Sequence, residues 1–184
     1  MDTYNWLIAI FWLCFVAYWI ISALNAKKVI KRTNRTGWIL GRLIIFVLVV
    51  AMFQIPALRR PLFPGTTAVL LLGTILCGSG ITLAIWARWH LGRNWNFAPS
   101  IQENHELVTS GPYRYVRHPI YTGMMIAFLG SALVGGPGWL IAFAAASLMF
   151  VARIHTEEQF MMEIFPGQYP EYKKRTKALL PFVW

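Results

Sequence analysis

The sequence has little charge, and less than a third of it is acidic. Of 184 residues only 7 are Asp or Glu, 13% are charged and 57% are hydrophobic, which is too apolar for a soluble domain and too short for several. The 2 cysteines, Cys14 and Cys77, sit inside apolar runs without partner spacing. That excludes a disulfide framework and a thiolate metal site, and both read as small hydrophobes. No nucleophile elbow, zinc-helix motif or Walker-type loop occurs, so serine acyl transfer, zinc chemistry and P-loop hydrolysis have no motif to rest on. Gly73, Gly78 and Gly80 lie inside an apolar run rather than after a strand, which excludes a dinucleotide loop and predicts close helix packing. Repeats, low-complexity stretches and a linker that would cut off a second domain are absent as well. Only Asp2 precedes the first apolar run, so a removable signal peptide is not expected.

What the sequence has is long apolar runs. Trp6 to Leu24, Trp38 to Ala57 and Thr67 to Trp86 are each long enough to cross a hydrocarbon core of about 30 Å. Two shorter runs, Ile120 to Val134 and Trp139 to Ala152, flank the turn Gly135-Gly136-Pro137-Gly138 and predict a helical hairpin, with Tyr115, Tyr121 and Trp139 in the headgroup zone. The expected fold is therefore an all-α integral membrane protein with five transmembrane helices, the last two a short C-terminal hairpin, followed by a cytoplasmic amphipathic tail.

The basic residues alternate between the two sides. Fourteen fall in the loop holding Lys27 to Arg35, in the segment from Arg88 to Arg117 and in the region from Arg153 to Lys177; the opposite side has only Arg59 and Arg60. By the positive-inside rule the N-terminus is outside and the C-terminus cytoplasmic. Arg42, left in the second run about one turn from its cytoplasmic end, is expected to snorkel. Positive charge spread over membrane-flanking loops does not make a nucleic-acid surface.

Six of the seven acids and all four histidines (His90, His105, His118 and His155) fall in the segments after the third and fifth runs. Ionisable groups are costly at a hydrocarbon edge unless they are paired or functional. The densest cluster is Gly111 to Gly123, GPYRYVRHPIYTG, which suits either a site or an aromatic, positive interface anchor. Arg153 and Glu157 are four apart and share a helix face. They suit either an ion pair or a site offering a fork for an anion and an acceptor for an ammonium. Glu158 and Glu163 are expected to be solvated. Phe160, Ile164, Phe165, Tyr169 and Tyr172 recur at helical spacing and predict a tail that lies against the bundle as a lid or wall. The closing residues Leu179 to Trp184 are expected to re-enter the headgroup zone.

In order and spacing, His105-Glu106-Leu107-Val108 to Tyr113, then Arg117-His118-Pro119-Ile120-Tyr121, then Arg153, Glu157 and Glu158, and finally Tyr169, Tyr172 and Arg175 to Phe182 resemble the isoprenylcysteine carboxyl methyltransferase family. That family is related to membrane phospholipid methyltransferases. The likeness covers roughly residues 90 to 184 and implies a single transmembrane domain over 1–184. Residues 1–89 would supply three spans, and residues 90–184 the cofactor-binding and catalytic region. It implies S-adenosylmethionine as cofactor, with Gln102, His105, Glu106, Leu107, Val108, Tyr113, His118, Pro119, Ile120, Tyr121 and Glu157 lining its site, Arg153 facing the methyl acceptor, Arg153 and Glu157 as the catalytic pair, and no metal.

Physical chemistry gives those residues work to do. The backbone donors at the helix start near Pro119, or His118, suit a carboxylate; Glu157 suits an ammonium; and the tyrosines suit a ring or sulfonium. Arg117 could instead anchor a lipid phosphate. The implied reaction is methyl transfer to a lipophilic acceptor, first a carboxylate, in the presence of membrane lipid. For an amine or thiol acceptor, Glu157 or His155 would have to serve as base. The short chain looks like a prokaryotic, inner-membrane member, which leaves a phospholipid headgroup or a small lipophilic molecule open as acceptor. A helical membrane adaptor without turnover is the non-enzymatic alternative.

Overall fold

Helix formation here follows from apolar runs bounded by turn-forming residues. The protein is described from a computed structural model, which covers residues 3–24, 29–32, 47, 51, 54–62, 66–95, 100–102 and 106–180. Helix α1 is Thr3–Ala23, β1 is Val29–Arg32, α2 is Thr67–Leu91, β2 is Ser100–Gln102, α3 is Pro119–Gly135, α4 is Pro137–Ile164 and α5 is Gln168–Arg175. A single 3-10 turn, Pro56–Arg59, precedes α2. The Thr66 side chain caps α2 by accepting from the Val69 amide, and proline stands at the start of α3 and of α4, where its missing N–H costs nothing.

Among the described residues, three helices are long and apolar enough to cross a membrane: Thr3–Ala23, Thr67–Asn94 and Pro137–Ile164. The shorter apolar helix Pro119–Gly135 forms the hairpin with α4. The joint is Gly136 at φ +93, a backbone conformation that glycine adopts without steric cost. The second expected span, Trp38 to Ala57, lies mostly outside the described residues, as do Arg42 and the last four residues. Helix α4 runs well past Ala152 to Ile164, so Arg153, Glu157 and Glu158 ride on the same rigid rod as the apolar span. One addition is a short ribbon that meets α4 through β2: β1 and β2 pair antiparallel, with Val29 opposite Gln102 and Arg32 opposite Ser100.

The closest helix pairing is α2 with α3, and it runs antiparallel. A Cβ on Gly80 would lie 2.5 Å from the Gly123 carbonyl and the Ala127 nitrogen; one on Gly73 would lie 2.8 Å from the Gly130 carbonyl. Small residues on both faces let the two backbones meet, as in other membrane helix pairs. Helix α1 packs alongside through Ile8 and Phe15, its only buried residues, while Leu13, Ile20, Ile21 and Leu24 stay exposed as a lipid-facing surface requires. Within the membrane span it is also tied by Trp12 Nε1, which donates to Ser131 Oγ at 3.0 Å.

These packings set the ends of the bundle. Arg88 near the end of α2 donates to the Ser22 carbonyl near the end of α1, so α1 and α2 finish together, where α3 begins and α4 ends. The opposite end holds the Gly136 turn, against the Arg60 carbonyl. Arg88, Arg93, Arg114, Arg117, Arg153 and the lysines of α5 thus share one end, and Arg59 and Arg60 lie at the other.

Candidate functional site

At the basic end lies a cleft with a cavity volume of about 140 Å³. It is bordered by Leu91 at the end of α2 and Asn94 and Trp95 just after it, by Glu106, Leu107 and Val108 in the following loop, and by Tyr113, Arg117, His118, Ile120 and Tyr121 around the start of α3. Arg153, Glu157, Phe160 and Met161 on α4 and Tyr169 and Tyr172 on α5 complete it. These positions converge because α4 carries its apolar packing face straight on into a final stretch from Arg153 to Ile164, about three turns long, while the tail folds back over it.

Glu157 is the hub. Arg153 Nε donates to its Oε1 at 2.6 Å, and the Tyr121 hydroxyl donates to both carboxylate oxygens at 2.9 and 3.0 Å. His118 Nδ1 stands 3.6 Å from Oε2. His118, Tyr121 and Phe150 stack in nearly parallel planes, with centroid separations of 5.5 and 4.5 Å, so ring packing fixes where the two polar rings point. The Arg153 guanidinium also sits over the Tyr121 ring, 5.9 Å from its centroid. A charge-assisted network of this kind in a half-dry setting is stronger than its surface equivalent.

His118 lies between two carboxylates, Nδ1 toward Glu157 and Nε2 3.5 Å from Glu158. Burial alone would push its pKa down, but Glu157 and Glu158 together outweigh burial and the net direction is upward, which favours the imidazolium. Burial, and then the Glu157 carboxylate, hold the Tyr113 phenol well above its ordinary value, so it stays a neutral hydroxyl.

Glu158 corrects a sequence expectation: it is buried rather than solvated. It is 8% exposed and is held by Arg117 Nε at 2.7 Å and Lys173 Nζ at 2.6 Å. The reason is tertiary, since α5 folds back across this face of α4. Glu163, by contrast, is exposed. Arg117, considered above as a lipid-phosphate anchor, is committed to Glu158 and to the backbone carbonyls of Lys173 and Thr176. Just before α3, the Arg117 and His118 amides donate to the Lys177 and Ala178 carbonyls.

Of the other expected site residues, Glu106, Leu107, Val108, Tyr113, Ile120 and Tyr121 border the cleft. Pro119 is fully buried behind it and does not border it. Gln102 belongs to β2, with only its backbone described, and His105 lies outside the described residues. His155 is exposed and absent from the cleft border. Sequence reasoning missed Asn94 and Trp95. Asn94 donates to the Glu106 carboxylate and accepts from the Glu106 amide, fixing the loop beside the cleft. Trp95 is clamped by the Arg88 guanidinium, 4.5 Å from its ring. A polar residue and a tryptophan directly after a membrane span were the only available signal, and interface anchors look the same.

Residues 68–168 match the phospholipid methyltransferase family. The chain is 36% identical over 119 residues to protein-S-isoprenylcysteine O-methyltransferase B of Arabidopsis thaliana, covering 62% of this chain and 57% of that protein. It is 37% identical over 105 residues to the cobalt-zinc-cadmium resistance protein CzcN of Cupriavidus metallidurans, covering 55% of this chain and 46% of that one. A solved eukaryotic intramembrane Ras methyltransferase, an isoprenylcysteine carboxyl methyltransferase, superposes with a TM-score of 0.58 at 24% identity, over 82% of this chain and 54% of that one, a likeness of fold. The chain spans about half the length of the relatives it matches.

Proposed function

The chain belongs to the phospholipid methyltransferase family, and from that premise we propose that it transfers a methyl group from S-adenosylmethionine to a lipophilic acceptor at the membrane interface, with a carboxylate as the acceptor. The observation that carries this is Glu157, an acidic group bordering the cleft and fixed by Arg153, Tyr121 and His118.

The residues present fit such a cofactor. Glu157 Oε2 is the acceptor for an ammonium, the faces of Tyr113, Tyr121 and Trp95 suit a sulfonium and a flat base, and Leu91, Val108, Ile120 and Met161 supply apolar surface. Bound there, S-adenosylmethionine would contribute an activated methyl group. Glu106, Leu107, Val108, Tyr113, His118, Ile120, Tyr121 and Glu157 would line its site, with Pro119 shaping it from behind and Gln102 and His105 added from the loop. Residues 1–89 then serve as scaffold and 90–184 as the reactive half, since every cleft residue falls within 91–172.

Arg153 would hold the acceptor. A carboxylate has no proton to lose, so the chain need supply only alignment and exclusion of water. An amine acceptor needs a base, and here the geometry weighs against one: Glu157 is tied into an ion pair with Arg153, and His155 points away from the cleft. A carboxylate reading is favoured for that reason. The positive-inside rule supports a basic end that faces the cytoplasm, and with it the proposal of a site at the cytoplasmic face of the membrane, a prokaryotic inner membrane being the proposed one.

The test is binding of S-adenosylmethionine and its demethylated product to the purified protein in mild detergent, followed by parallel assays of lipophilic carboxylates and of phosphatidylethanolamine. Saturable binding, weakened roughly tenfold to a hundredfold by Glu157→Gln as the loss of a charged hydrogen bond implies, with turnover of a carboxylate, is the expected result. Absence of binding in detergent and in lipid returns the protein to the adaptor class, and methylated phosphatidylethanolamine makes it an N-methyltransferase.

A further inference from the structure

Adjacent glutamates on one helix point about 100° apart, and here they enter different environments. Glu157 borders the cleft; Glu158 does not. It is turned toward the tail, where Arg117, Lys173 and one edge of His118 surround it. Three potentially cationic side chains from the start of α3 and from α5 thus converge on one buried carboxylate carried by α4.

The tail is attached at this point by more than charge. Arg117 also donates to the carbonyls of Lys173 and Thr176. Residue 116 bridges residue 177 in parallel, and the Arg117 and His118 amides donate to the Lys177 and Ala178 carbonyls at 2.8 and 3.0 Å. The Tyr172 hydroxyl donates to the Tyr113 carbonyl at 2.6 Å and Thr122 Oγ1 to the Leu179 carbonyl at 2.7 Å. Each tie joins the region 113–122 to the tail, and Glu158 is the carboxylate that meets both Arg117 and Lys173 at their centre. Without it, Arg117 would be a mostly buried charge facing only carbonyl groups, an arrangement that desolvation makes costly.

We propose that Glu158 is a positioning residue, the latch that holds residues 168–179 against the start of α3 so that Tyr169 and Tyr172 wall the cleft, and that it acts through this tail without touching the cofactor. The effect on cofactor binding rests on the function proposed above; the effect on the tail does not.

Hydrogen exchange measured by mass spectrometry on the full chain in detergent, beside S-adenosylmethionine binding, separates the two. Glu158→Gln keeps the shape and removes the charge. Exchange in peptides covering 113–122 and 168–179 should rise roughly tenfold, as expected for loss of a charged, buried partner, and affinity should fall with it. Glu157→Gln should weaken affinity while leaving exchange in the 168–179 peptide as in the wild type. Lys173→Gln, at a half-exposed position that the fold tolerates, should raise exchange by about two- to fivefold, and it decides the matter if Glu158→Gln does not fold. Unchanged exchange in the Glu158 and Lys173 variants overturns the latch. Weaker binding in Glu158→Gln with unchanged exchange overturns it too, because Glu158 would then act on the ligand directly; faster exchange with unaltered binding overturns the positioning role. If the wild type binds no S-adenosylmethionine, the proposed function fails, and the exchange result alone still decides the latch.

Discussion

The seam between α2 and α3 and the basic end of the bundle hold the chain together by opposite means. At the seam, side chains are removed: Gly73, Gly80, Gly123 and Gly130 let backbone meet backbone, and the buried hydroxyl of Ser131 is satisfied locally by donating to the Ala127 carbonyl. At the basic end, side chains are added: Arg117, His118, Arg153, Glu157, Glu158 and Lys173 form one connected network. In lipid there is no hydrophobic drive between apolar helices, so close contact must supply the attraction. At the interface water is near enough to compete, and charge is tolerated only where every partner is placed. The seam therefore serves as a fixed frame, and the chemistry gathers where the frame ends.

Gly80→Leu strikes the seam hardest. Its side chain has nowhere to go, since even a Cβ lies 2.5 Å from the opposing backbone. Overpacking typically costs 1–3 kcal/mol where side chains can yield, and here backbone must move. Loss of a monodisperse folded species in size-exclusion chromatography is the expected outcome, and a well-folded variant would show that the two helices can part cheaply.

Arg153→Lys strikes the other region. Lys keeps the charge and loses the fork. Turnover of a lipophilic carboxylate should drop on the order of a hundredfold, with the thermal midpoint little changed; an undiminished kcat would remove Arg153 from the acceptor's side of the cleft. Ser131→Ala returns to the seam, where it leaves Trp12 Nε1 without its acceptor. A cost of about 1–3 kcal/mol in thermal or denaturant unfolding follows from the unsatisfied donor.

Acidity distinguishes the regions as well. The pKa of His118 is raised in the folded protein, so the imidazolium contributes stability that is fully present below the unfolded value of about 6.5 and is lost as pH rises through the folded value. The thermal midpoint should therefore decline on the alkaline side of the ordinary histidine range, and His118→Gln should flatten that decline. The smallest effect belongs to Glu171, whose partner Lys174 is exposed. Glu171→Gln should leave the thermal midpoint unmoved within error.

Much of this was legible in the sequence where local spacing carries the information. The hairpin follows from Gly135 to Gly138 between two apolar runs, the glycine seam from Gly73 and Gly80 within a span, and the Arg153–Glu157 pair from a separation of four. What was not legible depends on residues far apart in the chain. Glu158 was read as solvated because one helix turn cannot reveal that Arg117, 41 positions away, and a folded-back tail would cover it. The strands β1 and β2, of four and three residues, are too short for an alternating pattern to register. Asn94 and Trp95 were passed over because nothing local distinguishes a cleft residue from an interface anchor.

The Tyr172 to Tyr113 hydrogen bond joins groups 59 positions apart, and that separation has a meaning in time. Ribosomes add roughly 5–20 residues per second, so the start of α3 waits several seconds for the segment that will cover it. Helix α2 is already made when α3 emerges, whereas α4 and the tail that border the cleft are not. The cleft is thus the last part of the described fold to be complete, when residues 172 to 179 close on the frame of α2 and α3.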